Sequence, residues 1–248
     1  MDPIDLAQAL IRCPSVTPAD EGAMDVLQSA LEELGFTCHR LPFATGNAPE
    51  VQNLYARIGD NAPNFCFAGH TDVVPVEDES KWSFPPFSAT ISDGRVYGRG
   101  TSDCKGLLTA HLIAMRVLKR SGVRLRDGLI LASGADEEHG GRYGFGLLAE
   151  HHPEKIKAPY AVNEGGGTPM AAAGGLAYVL GVGEKGRLQA EFTVKGTSAH
   201  ASVPWQGTNA SYRLAELIRR IGTYEPDRDT SLEMFQHLST FAIEHKPS

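Results

Sequence analysis

The sequence predicts an α/β fold: a mostly parallel sheet with helices on both faces, followed by a smaller, partial α+β unit. Short apolar runs bounded by Gly or Pro alternate with segments whose apolar residues recur every three or four positions. That alternation is the rhythm of a parallel sheet with crossover helices. Several of the apolar runs end in loops that carry an acid or a histidine, which is where an open α/β sheet places its ligands. After Gly167 the rhythm changes to glycine turns between strand-like runs.

Each element has a local reason. Asp2-Pro3-Ile4-Asp5 is a helix start, with Asp as N-cap, Pro in the first turn and an acid near the positive end of the dipole. Ile4, Leu6, Ala7, Leu10 and Ile11 follow, and Pro14 stops the helix. Met24, Leu27, Leu31 and Leu34 form the apolar stripe of a second helix that Gly35 ends. Residues 36–41 and 53–58 read as strands. The run 65–76 delivers His70 and Asp72 to a strand end. Residues 90–97, with Asp93-Gly94 at the centre, read as a hairpin. A glycine-punctuated loop, 98–106, leads into a helix over 107–119. Residues 128–133 form an apolar strand, 143–151 a helix and 160–162 a short strand. Beyond Gly167, residues 176–182 read as strand-like and 188–194 alternate like a half-solvated strand; 209–221 read as an amphipathic helix. The second unit is expected to begin near Glu184, giving domains over 1–183 and 184–248.

Composition narrows the function. A net charge of −7 with no basic block argues against nucleic acid. No apolar run reaches membrane-spanning length, and the acidic N-terminus is unlike a signal peptide. Cys13, Cys38, Cys66 and Cys104 show no CxxC pairing and read as reduced thiols of a cytoplasmic protein. The sequon at Asn209 is discounted because the N-terminus does not read as a secretory signal. Gly181-Val182-Gly183-Glu184-Lys185-Gly186 fits GxGxxG, but a strand-like run rather than a helix follows it, so it reads as a linker turn.

The candidate ligands are His70, Asp103, Glu138 and Glu164, with Asp72 and Glu137 beside them. Taken alone, an Asp in a Gly-rich loop is a turn residue, and Glu137-Glu138 is a solvated edge. Together, at strand ends and helix starts, one imidazole and several carboxylates suit zinc or another first-row divalent ion. Adjacent glutamates allow one to ligate while the other handles a proton.

The motifs Gly-His-Thr-Asp-Val-Val-Pro (69–75), Tyr-Gly-Arg-Gly-Thr-Ser-Asp-Cys-Lys-Gly (97–106), Asp-Glu-Glu-His-Gly-Gly (136–141), Asn-Glu-Gly-Gly (163–166) and Gly-Thr-Ser-Ala-His-Ala-Ser (196–202) stand in this order. With them the chain resembles the dinuclear zinc amidohydrolases that include aminoacylase, glutamate carboxypeptidase, cytosolic dipeptidases and succinyl-diaminopimelate desuccinylase. The resemblance implies a zinc-peptidase-like catalytic domain with a partial dimerisation (lid) domain. It implies two Zn2+ ions, with Co2+ able to substitute. His70 and Glu164 would hold the first ion, Asp103 would bridge, and Glu138 would hold the second. Asp72 would orient His70, Glu137 would shuttle the proton of a metal-bridging hydroxide, and His200 would reach the partner subunit's site in a homodimer to stabilise the oxyanion. The implied substrate is an N-acyl amino acid or small peptide.

Three departures qualify that picture. Cys104 stands where Met is usual and reads as packing. The family's chains continue further and return a final histidine to the second metal, so the chain reads as a fragment whose second site is one ligand short; His237 and His245 are poor replacements. The first hundred residues look most like the desuccinylase, and those from Asp103 onward like the aminoacylase and carboxypeptidase branch. Desuccinylation and a non-hydrolytic, zinc-binding or dimerising remnant are therefore the alternatives.

Overall fold

The computed structural model describes residues 2–44, 46, 49–60, 64–125, 127–165, 167–172, 175–181, 189–227 and 231. It divides into two compact units, Met1–Glu164 and Gly165–Ser248. The boundary expected between residues 183 and 184 lies outside the described residues, as do the GxGxxG turn beyond Gly181, His237 and His245.

In the first unit, α1 (Pro3–Ile11) starts as the sequence predicts: the Asp2 carboxylate accepts the Ile4 N–H at 2.8 Å. Its N–H orphans are thereby reduced by one, a contribution of about 1 kcal/mol. Helix α2 (Ala23–Glu33) precedes Gly35, which takes φ 81°. Strands β1 (Thr37–Arg40), β2 (Leu54–Ile58) and β3 (Asn64–His70) follow. The hairpin β4 (Thr90–Ser92) and β5 (Arg95–Tyr97) turns through Asp93 and Gly94, both at positive φ, as a tight two-residue turn requires. Then come α3 (Lys105–Arg120), β6 (Gly128–Gly134), α4 (Phe145–His151), the short α5 (Pro153–Ile156) and β7 (Tyr160–Val162).

The sheet order is β1-β2-β6-β3-β7. The class is α/β, and the sheet is mixed: β3 pairs in parallel with β6 and β7, while β1–β2 and β2–β6 are antiparallel. The difference follows from the connections. Strands β3 and β6 are joined through α3, the crossover a parallel pair needs; β1 and β2 are joined by a loop that simply returns. The parallel half carries the candidate site.

Alternate residues of the strands feed two cores. Leu54, Ala56, Phe67, Leu129 and Leu131 pack with Leu6 and Leu10 of α1, Met24, Leu27 and Leu31 of α2, and Leu108, Leu112 and Met115 of α3. Tyr55, Cys66, Ile130 and Ala132 face the other way, toward Phe145 of α4 and Ile156 of α5. Central strand β6 is buried along its whole length, which explains its unbroken apolar reading.

The second unit contains the antiparallel hairpin β8 (Thr168–Ala172) and β9 (Gly175–Val179), and α6 (Ala210–Gly222), capped by the Asn209 carboxamide. Leu214, Ile218 and Ile221 of α6 are exposed. The strand expected over 188–194 does not form in its described part, 189–194. Alternation alone does not make a strand: the ladder needs a neighbour, and among the described residues none pairs with this stretch. Among the described residues, no helix is long and apolar enough to cross a membrane.

Candidate metal centre

The site is built at the carboxyl ends of the parallel strands. His70 is the last residue of β3, and its ring is buried. Its Nε2 lies 3.0 Å from Oδ1 of Asp103 and 3.0 Å from Oε2 of Glu164. Asp103 comes from the loop opening α3, and Glu164 follows β7. A carboxylate oxygen of Glu137, in the turn Glu137–His139 after β6, stands 3.8 Å from the same nitrogen. Donor atoms of His70, Asp103 and Glu138 all lie within 4.8 Å of one another. The first unit thus brings together His70, Asp72, Asp103, Glu137, Glu138 and Glu164. The peptide bond between Asp103 and Cys104 is cis.

Asp72 is fully buried, and its contacts refine the orienting role expected for it. His70 Nδ1–H donates to the main-chain carbonyl of Asp72 at 3.0 Å, with the carboxylate slightly farther, at 3.3 Å. The carboxylate instead accepts the N–H groups of Glu137 and Glu138 at 3.3 and 3.1 Å. One residue therefore fixes both the tautomer of His70 and the turn bearing the paired glutamates. Asp136 closes that turn, accepting the Tyr143 N–H at 2.8 Å.

Beneath Asp72 lies a second layer of bonds. Ser15 Oγ–H donates to Thr71 O at 2.6 Å, Val73 N–H to Ser15 O at 2.9 Å, and Thr17 N–H to Val73 O at 3.1 Å. Lys105, wholly buried in the first turn of α3, donates from Nζ to Cys13 O at 2.6 Å. The glycines of this loop are dictated by space. A Cβ on Gly100, at φ 86°, would meet Val73 at 2.9 Å, and one on Gly106 would stand 2.1 Å from Thr101 O. The Lys105 brace was missed in the sequence, yet it left a signal: a cation at a helix N-terminus opposes the dipole and calls for another reason.

The electrostatics favour a cation between these groups. Burial opposes charge on His70, but Asp72, Cys104 and Glu164 outweigh it and hold its pKa above the ordinary histidine value. The His70 hydrogen bond in turn holds Glu164 below the usual glutamate range. Burial raises Glu137 and Glu138, and neighbouring carboxylates add to it. A site that draws a proton onto an imidazole flanked by carboxylates also fits a divalent ion at the same point, and N and O donors in this mix suit a first-row metal.

Residues 66–244 match the model of peptidase family M20/M25/M40. The chain belongs to this family. It is 44% identical over 230 residues to a succinyl-diaminopimelate desuccinylase of Rhodospirillum centenum, covering 92% of this chain and 58% of that protein. A desuccinylase of Parvibaculum lavamentivorans is 39% identical, covering 92% and 57%. The chain thus spans a little over half the length of the curated relatives it matches. An M20 family metallo-carboxypeptidase of Sulfolobus solfataricus superposes with a TM-score of 0.59 at 29% identity, covering 68% of this chain and 40% of that one. Human carnosine dipeptidase 1, at 22% identity and a TM-score of 0.57 over 65% of this chain and 38% of its own, shares the fold.

His200 belongs to the second unit and is exposed there. Its Nδ1 accepts the Ser202 N–H at 3.2 Å and lies 2.8 Å from Ser202 Oγ. That pairing places the ring proton on Nε2.

Proposed function

We propose that the chain is the metal-binding part of a hydrolase that cleaves the amide bond of an N-acyl amino acid or small peptide. The observation that carries this reading is the convergence of Asp103 and Glu164 at 3.0 Å from one buried imidazole nitrogen, with Glu137 alongside. His70, Asp103 and Glu164 would hold one zinc ion, and Asp103 with Glu138 a second. When bound, the metal supplies Lewis acidity toward the scissile carbonyl and makes water nucleophilic near neutral pH. Glu137 takes the proton of the attacking water and passes it to the leaving amine. Asp72 keeps His70 and Glu137 in register.

The domain reading accompanies this one: residues 1–183 as catalytic domain and 184–248 as part of a dimerisation domain. The partner subunit's His200, protonated on Nε2, donates to the oxyanion. Among N-acyl substrates, the identity to two desuccinylases across 92% of the chain favours succinyl-diaminopimelate. The four cysteines are free, which fits a reducing cytoplasm.

The test loads the chain with Zn2+ and follows amine release from N-succinyl-diaminopimelate, an N-acetyl amino acid and a dipeptide. Turnover is expected on the succinylated substrate, and Glu137→Gln abolishes it while zinc stays bound. Turnover surviving in that variant overturns the proton-shuttle role. Failure of the native chain to bind zinc overturns the metal reading. Zinc retained with no turnover on any of the three favours the zinc-binding, dimerising remnant.

A further inference from the structure

We propose that the thiol of Cys104 is a ligand of the metal held by His70 and Glu164. The inference rests on the metal reading above and gives that site a sulfur donor. Donor atoms of His70, Cys104 and Glu164 all lie within 4.8 Å of one another, a cluster separate in its third donor from that of His70, Asp103 and Glu138. A thiolate sulfur and an imidazole nitrogen bound to one zinc, which five-coordination would leave open to water, stand well inside such a separation.

The position of the sulfur is specific. Cys104 is completely buried, and its sulfur lies within 4.8 Å of a donor nitrogen of His70 and of a carboxylate oxygen of Glu164. It lies beneath Gly69, where an added Cβ would approach Sγ to 3.4 Å and Leu108 to 2.8 Å. Cys104 is also the residue before α3, and its side chain makes no capping bond there. Cys104 belongs to the buried apolar cluster that includes Leu108 and Phe67. Here the sulfur also reaches the two groups that converge on the candidate ion. Cys104 follows Asp103 directly, so one loop delivers an oxygen and a sulfur to the same place. On coordination the S–H bond is replaced by a sulfur–metal bond, and one proton leaves to solvent for each ion bound. The soft donor biases the site toward zinc or cobalt and away from magnesium or manganese.

The experiment is X-ray absorption at the zinc edge on the zinc-loaded chain, with Cys104→Ser and Cys104→Ala beside it. The native chain is expected to show a sulfur scatterer at about 2.3 Å with nitrogen and oxygen at about 2.0–2.2 Å. Both variants lose the sulfur shell, keep zinc, and bind it at least about tenfold more weakly, the lower bound for losing an outer-shell partner. Circular dichroism establishes that the variants fold. If they do not, a chain with Cys13, Cys38 and Cys66 replaced decides the matter, since it must keep the sulfur shell. Zinc bound through nitrogen and oxygen alone overturns this inference and leaves the metal centre standing. A sulfur shell that survives in the Cys104 variants, or vanishes when the other cysteines are replaced, overturns it too. Absence of zinc binding overturns both readings together.

Discussion

Asp72→Ala separates two ways in which a buried carboxylate can support a metal centre. Its oxygens accept two backbone N–H groups, from Glu137 and Glu138, at 3.3 and 3.1 Å. Bonds to a charged acceptor contribute about 1.5–3 kcal/mol each. These are long and the turn is partly exposed, so the low end applies and the variant loses about 3 kcal/mol of stability. His70 is affected less, because its Nδ1–H keeps the Asp72 carbonyl at 3.0 Å, which alanine retains. Loss of an outer-shell partner costs 10–100-fold in metal affinity, and with the carbonyl preserved about tenfold is expected. Asp72→Asn keeps one acceptor and should lie between native and Ala in stability. Thermal unfolding and competition for zinc against a chromophoric chelator measure the two quantities. An affinity loss well beyond about 100-fold in a folded variant would mean that the carboxylate, not the carbonyl, holds the imidazole. A variant as stable as the native chain would refute the role given to the Glu137–Glu138 turn.

Two further outcomes follow from the layer below. Burial pushes Lys105 down to about 8, whereas an unfolded lysine titrates at about 10.4. Between these values the unfolded chain binds the extra proton, so this residue's contribution to stability rises with pH. Relative to Lys105→Met, the native chain gains up to about 3 kcal/mol from pH 8 to 10.5, read by denaturant unfolding; a difference flat in pH contradicts the burial argument. Gly106→Ala forces a Cβ to 2.1 Å from Thr101 O. It should cost about 3 kcal/mol or more and loosen the Asp103 loop; unfolding within about 0.5 kcal/mol of native would show that the loop gives way freely.

The sequence disclosed most of the candidate site because each candidate ligand sits at a locally marked junction. His70 ends an apolar run, Asp103 stands in a glycine loop before a helix, and Glu138 and Glu164 follow strands. Helix α1 was legible to its cap, since Asp2 and Pro3 act on the turn they adjoin. What stayed hidden depends on distant partners. The alternation over 188–194 is a real pattern without a paired neighbour in 189–194. The four-residue α5 is too short for a period to show. The choice of Asp72's carbonyl by His70, the burial of Lys105 and the direction of the Cys104 sulfur are set by backbone geometry across the sheet, not by spacing along the chain.

The pairing of β7 has a consequence for motion. Among the described residues this strand lies at one edge of the sheet, meets β3 at Phe65↔Tyr160, Cys66↔Ala161 and Phe67↔Val162, and leaves Tyr160 72% exposed. Such an edge opens at a small fraction of the free energy of global unfolding. Glu164 sits two residues beyond it, so each opening carries away a group that faces His70. An ion gripped by both residues would act as a latch on the strand, slowing amide exchange along β7 in proportion to its occupancy. Protection there, more than at the deeply buried β6, would report how long the latch stays shut.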